Sequence, residues 1–259
     1  MTDDRTPVHP TDAVEDGYFP ESVAATYDEG EDPGRATLAA DFLAALADGG
    51  PAFELAVGTG RIALPLAARG VPVTGTDLSR AMVARLRAKP GGAELPVTIG
   101  DMTTTKVDGA GTFTLAYLVY NTINNLTTQD AQVDAFRNAA AHLAPGGRFV
   151  VEVGVPALRH LPPGQEAVIF GLSGERVAFD RYDDLVHQRF SSNYVSVDAD
   201  GRGRYRSIPF RYVWPAELDL MARLAGMRLE QRYADWGRAP FTSESDSHVS
   251  VYVKTDAGD

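Results

Sequence analysis

Residues 53–70 read FELAVGTGRIALPLAARG. A short apolar run ends at two glycines one residue apart, Gly58 and Gly60, and an amphipathic helical pattern follows. Glycine lets the backbone turn tightly and lets a ligand approach it closely. The helix that follows aims its N-terminus at whatever sits in the turn. GTGRIA also fits the looser dinucleotide fingerprint G-x-G-x-x-A, alone a weak signal. Glu54 separates the two readings. Four positions before the first glycine, a pyrophosphate-binding turn usually carries apolar core, and a carboxylate there repels a diphosphate. A carboxylate suits a ligand with cationic or hydrogen-bond-donating groups.

The rhythm continues outward from this unit. AFELAV, VPVTGTDL, LPVTIGD, FTLAYLVY and RFVVEVG read as strands, with helices predicted over 61–69, 79–89 and about 128–143. Strands alternating with helices imply parallel βαβ units and a doubly wound α/β sheet. AFELAV and RFVVEV are apolar on both faces, as buried parallel strands are. Upstream, PESVAATYDEG predicts a short helix. GRATLAADFLAALADGG predicts a longer one, with Leu38, Phe42, Leu43 and Leu46 on one face and Gly49 and Gly50 ending it. Residues 1–17 are polar and rich in Asp and Pro, which predicts a loose tail. From about 166 the pattern becomes EAVIF, ERVAFDRYDD, LVHQRFSSNYVSV and GRYRSIPFRYVW, without helices between, and DADG marks a hairpin. Residues 157–214 are therefore expected to form an antiparallel β cap inserted between 18–156 and 215–259. PAELDLMARLAG then predicts a helix with proline at its start and glycine at its end, and MRLEQRYADW and SHVSVYVK two closing strands.

With 259 residues, 44% of them apolar, the chain can bury a substantial core. It has no cysteine, which excludes disulfides, thiolate nucleophiles and cysteine-ligated metal. No cluster has metal-ligand spacing, so no metal is expected. The net charge of −11 argues against nucleic acid as the main ligand. No apolar run approaches the roughly 18 residues of a membrane span, and MTDDRTPVHPTD does not read as a signal peptide. A cytoplasmic protein without nucleic-acid or membrane partners is the expectation, monomeric or homodimeric through an exposed cap edge.

Glu54, Ala56, Gly58 and Gly60, with Asp77 closing GTDLS and Asp101 in GDM, resemble the ordered motifs of class I S-adenosylmethionine (SAM)-dependent methyltransferases. Ala56 stands where the family's first glycine does. LAPGGRFVVE is similar to the family's turn into its fifth strand. The resemblance covers about 18–155 and, less closely, 215–254. It implies a Rossmann-like seven-stranded sheet and SAM as cofactor, with S-adenosylhomocysteine (SAH) as product. It assigns Asp77 to the ribose hydroxyls, Asp101 to the adenine amino group and Met102 to the ring face. Glu54 then lies near the donor's ammonium or orders the turn that meets it. Thr59, Leu78, Met82, Thr103 and Tyr120 complete the expected donor contacts. Tyr18, Tyr27, Arg35 and Arg61 are candidates for the donor carboxylate, and the resemblance favours Tyr27.

Methyl transfer is an in-line displacement in which orientation is worth about 7–11 kcal/mol. The strand-four tip, VYNTINNL, places Tyr120, Asn121 and Thr122 beside the methyl. Several related small-molecule N- and O-methyltransferases with a β-sheet cap have a histidine nearby, where this chain carries Asn124 and Asn125. Asparagine orients a nucleophile but accepts no proton at neutral pH. Asn121, Asn125 and the cap residue Tyr212 are the catalytic candidates. Asn124, Glu152, Tyr194, Phe210, Arg211 and Trp214 are the acceptor-binding candidates, with Arg211 expected to meet an acidic group. Strand alternation puts Arg204, Arg206, Ile208, Phe210, Tyr212 and Trp214 on one face, and Tyr205, Ser207, Pro209, Arg211 and Val213 on the other. His187, Trp236 and Arg238 are further candidates on the same footing. The expected activity is methylation of an oxygen or nitrogen of a small molecule. The richness in Ala, Arg, Gly and Asp suggests a GC-rich genome and a setting in secondary metabolism. Rival readings are a nicotinamide-dependent oxidoreductase, a non-catalytic SAM-binding protein and a methyltransferase of tRNA or protein.

Overall fold

A computed structural model of the protein describes residues 18–29, 32–198 and 200–255. The tail expected over 1–17 lies outside the described residues, as does Ala199 of the DADG turn. The chain opens with α1 (Glu21–Ala24) and α2 (Pro33–Ala47), then alternates through β1 (Ala52–Leu55), α3 (Ala63–Ala67), β2 (Val73–Asp77), α4 (Arg80–Arg87), β3 (Val97–Ile99) and β4 (Phe113–Leu118). A 3-10 turn over Thr122–Asn125 leads into α5 (Gln129–His142) and β5 (Leu143–Gly154). Four strands follow without α-helices between them: β6 (Ala167–Ser173), β7 (Arg176–Asp184), β8 (Arg189–Val197) and β9 (Gly203–Arg211). Helix α6 (Pro215–Leu224) and strands β10 (Met227–Tyr233) and β11 (Ser247–Lys254) close the chain.

The main sheet has seven strands in the order β10-β11-β5-β4-β1-β2-β3. The five strands from β1 to β5 are parallel, and β11 runs antiparallel to both β5 and β10. The strand order reverses between β1 and β4, so a crevice opens there beyond the carboxyl ends, where open α/β sheets bind ligands. One face of the sheet packs on α5 and α6 through Phe53, Phe136, Phe149 and Tyr252. The other packs on α2 and α3 through Leu43, Leu66, Leu115 and Val251. Each such fully buried apolar side chain contributes about 1.5–3 kcal/mol.

Two local expectations shift. Helix α2 buries Ala39, Ala40, Phe42, Leu43 and Ala47, whereas Leu38 is 52% exposed. Three alanines, with Phe42 and Leu43, form the buried stripe, and Leu38 falls outside it. The helix after the glycine turn shortens to Ala63–Ala67.

The second sheet is antiparallel, in the order β6-β7-β8-β9. Its last strand is fastened to the main domain by a buried polar joint. Arg211 is 4% exposed and donates to Gln132 of α5, to Glu217 Oε1 of α6 at 2.6 Å and to Gln188 Oε1 at 3.1 Å. Gln132 returns a hydrogen bond to the Arg211 carbonyl at 3.1 Å. Burial alone would raise the Glu217 pKa, but hydrogen bonds from Gln188, Arg211 and Gln129 outweigh it and hold the carboxyl ionised below its ordinary range.

Candidate active site

The glycine turn after β1 is built by long-range contacts. Ala56, Gly58 and Gly60 all have positive φ, at 55°, 57° and 77°. At Gly60 a Cβ would also crowd the Leu86 side chain, at 3.0 Å. At Ala56 the left-handed conformation costs roughly 1–2 kcal/mol over glycine. Asp77, at the tip of β2, holds the turn from beside it. Its Oδ2 accepts from Gly58 N at 2.7 Å and its Oδ1 from Ser79 N at 2.8 Å. Burial raises the Asp77 pKa, opposed by the N–H groups of Ser79 and Gly58. A carboxylate has about four lone-pair positions, so Asp77 keeps acceptor capacity toward the cavity that it lines. At the tip of β3, Asp101 Oδ1 accepts from the N–H and the hydroxyl of Thr103, both at 2.7 Å, which aims the carboxylate into the same cavity.

Glu54 does not reach that cavity. It is 3% exposed, and its Oε2 accepts from the Tyr117 hydroxyl at 3.0 Å, with a further bond from the Ala63 N–H. Glu54 ties β1 to β4 and to the first residue of α3. Burial raises its pKa well above the ordinary carboxylate range, with the Asp77 charge adding to the effect. A carboxyl whose folded pKa exceeds its unfolded value binds an extra proton on folding. Its stabilisation is therefore complete below the unfolded value and is lost as pH rises through the folded value. Glu54→Gln keeps an acceptor for Tyr117 without that ionisation. Its melting temperature is expected to exceed that of the parent at pH 8, with the gap narrowing at pH 5. A gap that widens on acidification overturns this account of Glu54.

At the tip of β4, Tyr120 and Asn121 are consecutive non-glycine residues with φ of 56° and 60°. Such strain persists only where surroundings enforce it, and it gathers at functional sites. Strand β5 enforces it here. Glu152 Oε2 accepts from Tyr120 N at 2.6 Å, and Asn121 Oδ1 accepts from Gly154 N at 2.6 Å. Glu152 is 3% exposed and also pairs with Arg35. Its placement corrects the expectation of acceptor contact: Glu152 positions Tyr120. The Arg61 guanidinium lies 4.4 Å from the centre of the Tyr120 ring and 4.8 Å from that of Tyr27, and Arg35 lies 4.9 Å from Tyr120. Tyr27 and Tyr120 thus present ring faces to two cations behind the cavity wall. Thr59 donates to Asp28 Oδ1 at 2.7 Å, closing the N-terminal segment over the turn.

The cavity itself has a volume of about 1050 Å³. Of the donor candidates, Tyr18, Tyr27, Ala56, Gly58, Asp77, Leu78, Met82, Asp101, Met102, Tyr120 and Asn121 line it. Arg35, Glu54, Thr59, Gly60, Arg61 and Thr103 are absent from its lining. Of the catalytic and acceptor candidates, Asn124, Asn125, Tyr194, Phe210 and Tyr212 line it, whereas Glu152, Arg211 and Trp214 do not. Arg211 is corrected from an acceptor-binding residue to a structural one, because β9 turns its face toward α5 and α6. Trp214 leaves the cavity at the start of α6, 39% exposed and edge-on to Tyr212. Burial raises the Tyr212 pKa above its ordinary value, so Tyr212 remains a phenol near neutral pH. His187, Trp236 and Arg238 are also absent from the lining.

Several lining residues escaped the sequence reading: Phe19, Asp180, Tyr182, Phe190 and Ser192. Alternation along ERVAFDRYDD and RFSSNYVSV groups Asp180 with Tyr182, and Ser192 with Phe190 and Tyr194. Only the pairing Asp180↔Ser192 and Ser192↔Ile208 shows that these groups share the cavity face.

Comparison with known proteins agrees with this geometry. Residues 52–147 match a methyltransferase domain family. The CcbJ methyltransferase of Streptomyces caelestis is 34% identical, with a TM-score of 0.82 over 93% of this chain and 99% of that one. Cypemycin N-terminal methyltransferase of a Streptomyces species is 26% identical over 208 residues, 79% of this chain and 83% of that protein. The fold is shared with SAM-bound CalS10 of Micromonospora echinaspora, an amino pentose methyltransferase, at 23% identity and a TM-score of 0.66 over 94% of this chain and 100% of that one. On the likeness that runs nearly the full length of both chains, together with its strand order and acidic strand tips, the protein belongs to the SAM-dependent methyltransferase family.

Proposed function

We propose that the protein transfers the methyl group of SAM to a nitrogen or oxygen of a small molecule enclosed between the strand tips and the cap formed by residues 157–214. One observation carries the reading: Asp77 and Asp101, at successive strand tips, line the same cavity as the cap aromatics. Two carboxylates side by side suit the hydroxyl and amino donors of a ribose and an adenine and repel a diphosphate. Leu78, Met82 and Met102 supply apolar surface for the adenine ring. Tyr18 and Tyr27 are assigned to the amino acid end of the donor, with Arg35 and Arg61 behind the tyrosine wall.

Bound SAM supplies an electrophilic methyl on a sulfonium. The chain's own task is to hold the acceptor lone pair in line with that carbon and to exclude water. Asn121, Asn124 and Asn125 sit where the strained β4 tip meets the cavity and orient the acceptor, and Tyr212 donates from above. The names of the relatives, cypemycin N-terminal methyltransferase and an amino pentose methyltransferase involved in calicheamicin biosynthesis, support a setting in secondary metabolism. Among the described residues no helix is long and apolar enough to cross a membrane, which supports a cytoplasmic assignment. The exposed edge strand β6 supports self-association as an alternative to a monomer.

Equilibrium dialysis with tritiated SAM, beside NAD and NADP, tests the reading. SAM is expected to be retained and displaced by SAH, with neither dinucleotide competing. Transfer of the label to a panel of amines, phenols and carboxylic acids then reports turnover. Retention of a dinucleotide in place of SAM overturns the proposal, and SAM binding without transfer to any acceptor assigns the fold a non-catalytic role.

A further inference from the structure

The cavity continues past the expected methyl position into a chamber under the cap, and its chemistry is one-sided. Among the described residues that line the cavity none is lysine, arginine or histidine, and the charged ones are Asp77, Asp101 and Asp180. The first two face the donor end. Asp180 stands alone in the cap, midway along β7, paired across the ladder with Ser192 and beyond it with Ile208. Its hydrogen bond comes from the Ser192 hydroxyl. No ion pair to it is present among the described residues: Arg206, on the same face, lies over the Tyr194 ring at 4.5 Å instead, and burial raises the Asp180 pKa with only the Ser192 bond opposing. A carboxylate in that position lacks a counter-charge, and a ligand can supply one.

Aromatic rings line the same chamber. Phe190 stacks on Phe210 with centres 5.2 Å apart and on Tyr182 at 5.6 Å, and Tyr212 lies 5.7 Å from Tyr182. The ring faces that this stack leaves open attract a cation, and the carboxylate acts in the same direction. The floor agrees. Asn124 is 7% exposed, and its Oδ1 and that of Asn125 are buried without a hydrogen-bond partner. A protonated amine carries two or three N–H donors for such acceptors, whereas a carboxylate or phosphate offers none.

On the methyltransferase reading above, we propose that Asp180 determines acceptor specificity by anchoring a positively charged amino group of the acceptor in the chamber lined by Tyr182, Phe190, Phe210 and Tyr212. The acceptor class is then an amine-bearing small molecule with an apolar or cyclic body, and anionic acceptors are rejected by the three aspartates.

The test uses the full-length protein saturated with SAH and two isosteric probes, benzylamine and benzyl alcohol, titrated calorimetrically at pH 7.5. The parent is expected to bind the amine at least about tenfold more tightly, as a charge-assisted hydrogen bond implies. Asp180→Asn keeps an acceptor for Ser192, and its preference is expected to fall to within about twofold with SAH affinity unchanged. Asp180→Glu retains the preference, which separates loss of charge from a disturbed fold. Equal binding of the probes by the parent, or a preference that survives in Asp180→Asn, overturns the role of Asp180 while leaving SAH binding, and the methyltransferase reading, in place. Failure of the parent to bind SAH overturns both.

Discussion

Asp77→Ala is expected to raise the dissociation constants of SAM and SAH by at least about 100-fold, the largest effect of any single change at the donor site. Two ribose hydroxyls bonded to one carboxylate make two charge-assisted hydrogen bonds of about 1.5–3 kcal/mol each. Their joint loss, at about 1.4 kcal/mol per tenfold, spans roughly 100- to 10,000-fold. The structure adds a second consequence. Asp77 is also the acceptor for the N–H groups of Gly58 and Ser79. Alanine leaves both donors without a partner, and each such buried group costs about 1–3 kcal/mol. The variant should therefore melt earlier as well as bind weakly. Calorimetric titration with SAH at 15 °C, with circular dichroism to confirm the fold, separates the two effects. Affinity within threefold of the parent would remove Asp77 from the donor site.

Arg211→Met is expected to cost about 3–5 kcal/mol of stability, the penalty for removing one partner of a buried ion pair. The side chains of Arg211 and Glu217 are 5% and 14% exposed, so the stranded carboxylate has little water to turn to. Gln132, itself 0% exposed, loses its donor at the same time. The double variant Arg211→Met, Glu217→Gln should lose less than the sum of the single changes, because the second substitution removes the stranded charge. Denaturant unfolding of the two single variants and the double measures this coupling. An additive result, or a change in acceptor preference with stability intact, would restore Arg211 to the acceptor site.

These two residues bracket how the molecule divides its labour. Asp77 stands where local geometry ends, at the carboxyl tip of a parallel strand, and that position is visible from GTDLS alone. Arg211 lies on a strand whose two faces are equally polar in sequence. Alternation assigns it to the face opposite Phe210 and Tyr212, where Tyr205 is 67% exposed, and only the packing of the end of β9 against α5 and α6 buries Arg211. Glu152 and Arg35, 117 positions apart, form a pair that no local pattern anticipates, and together they fix Tyr120 instead of touching the acceptor.

By itself the sequence determined the parallel βαβ rhythm, the glycine turn, the acidic strand tips and the existence of an antiparallel insertion. Each is a property of a few neighbouring residues: backbone freedom at glycine, the periods of helix and strand, the charge at a strand end. Tertiary structure alone decided that Glu54 braces the turn while Asp77 and Asp101 face the cavity, and that Asp180 stands in the aromatic chamber. Those outcomes depend on which face of a strand meets the core and on register between distant strands. Contacts separated by tens of residues set both.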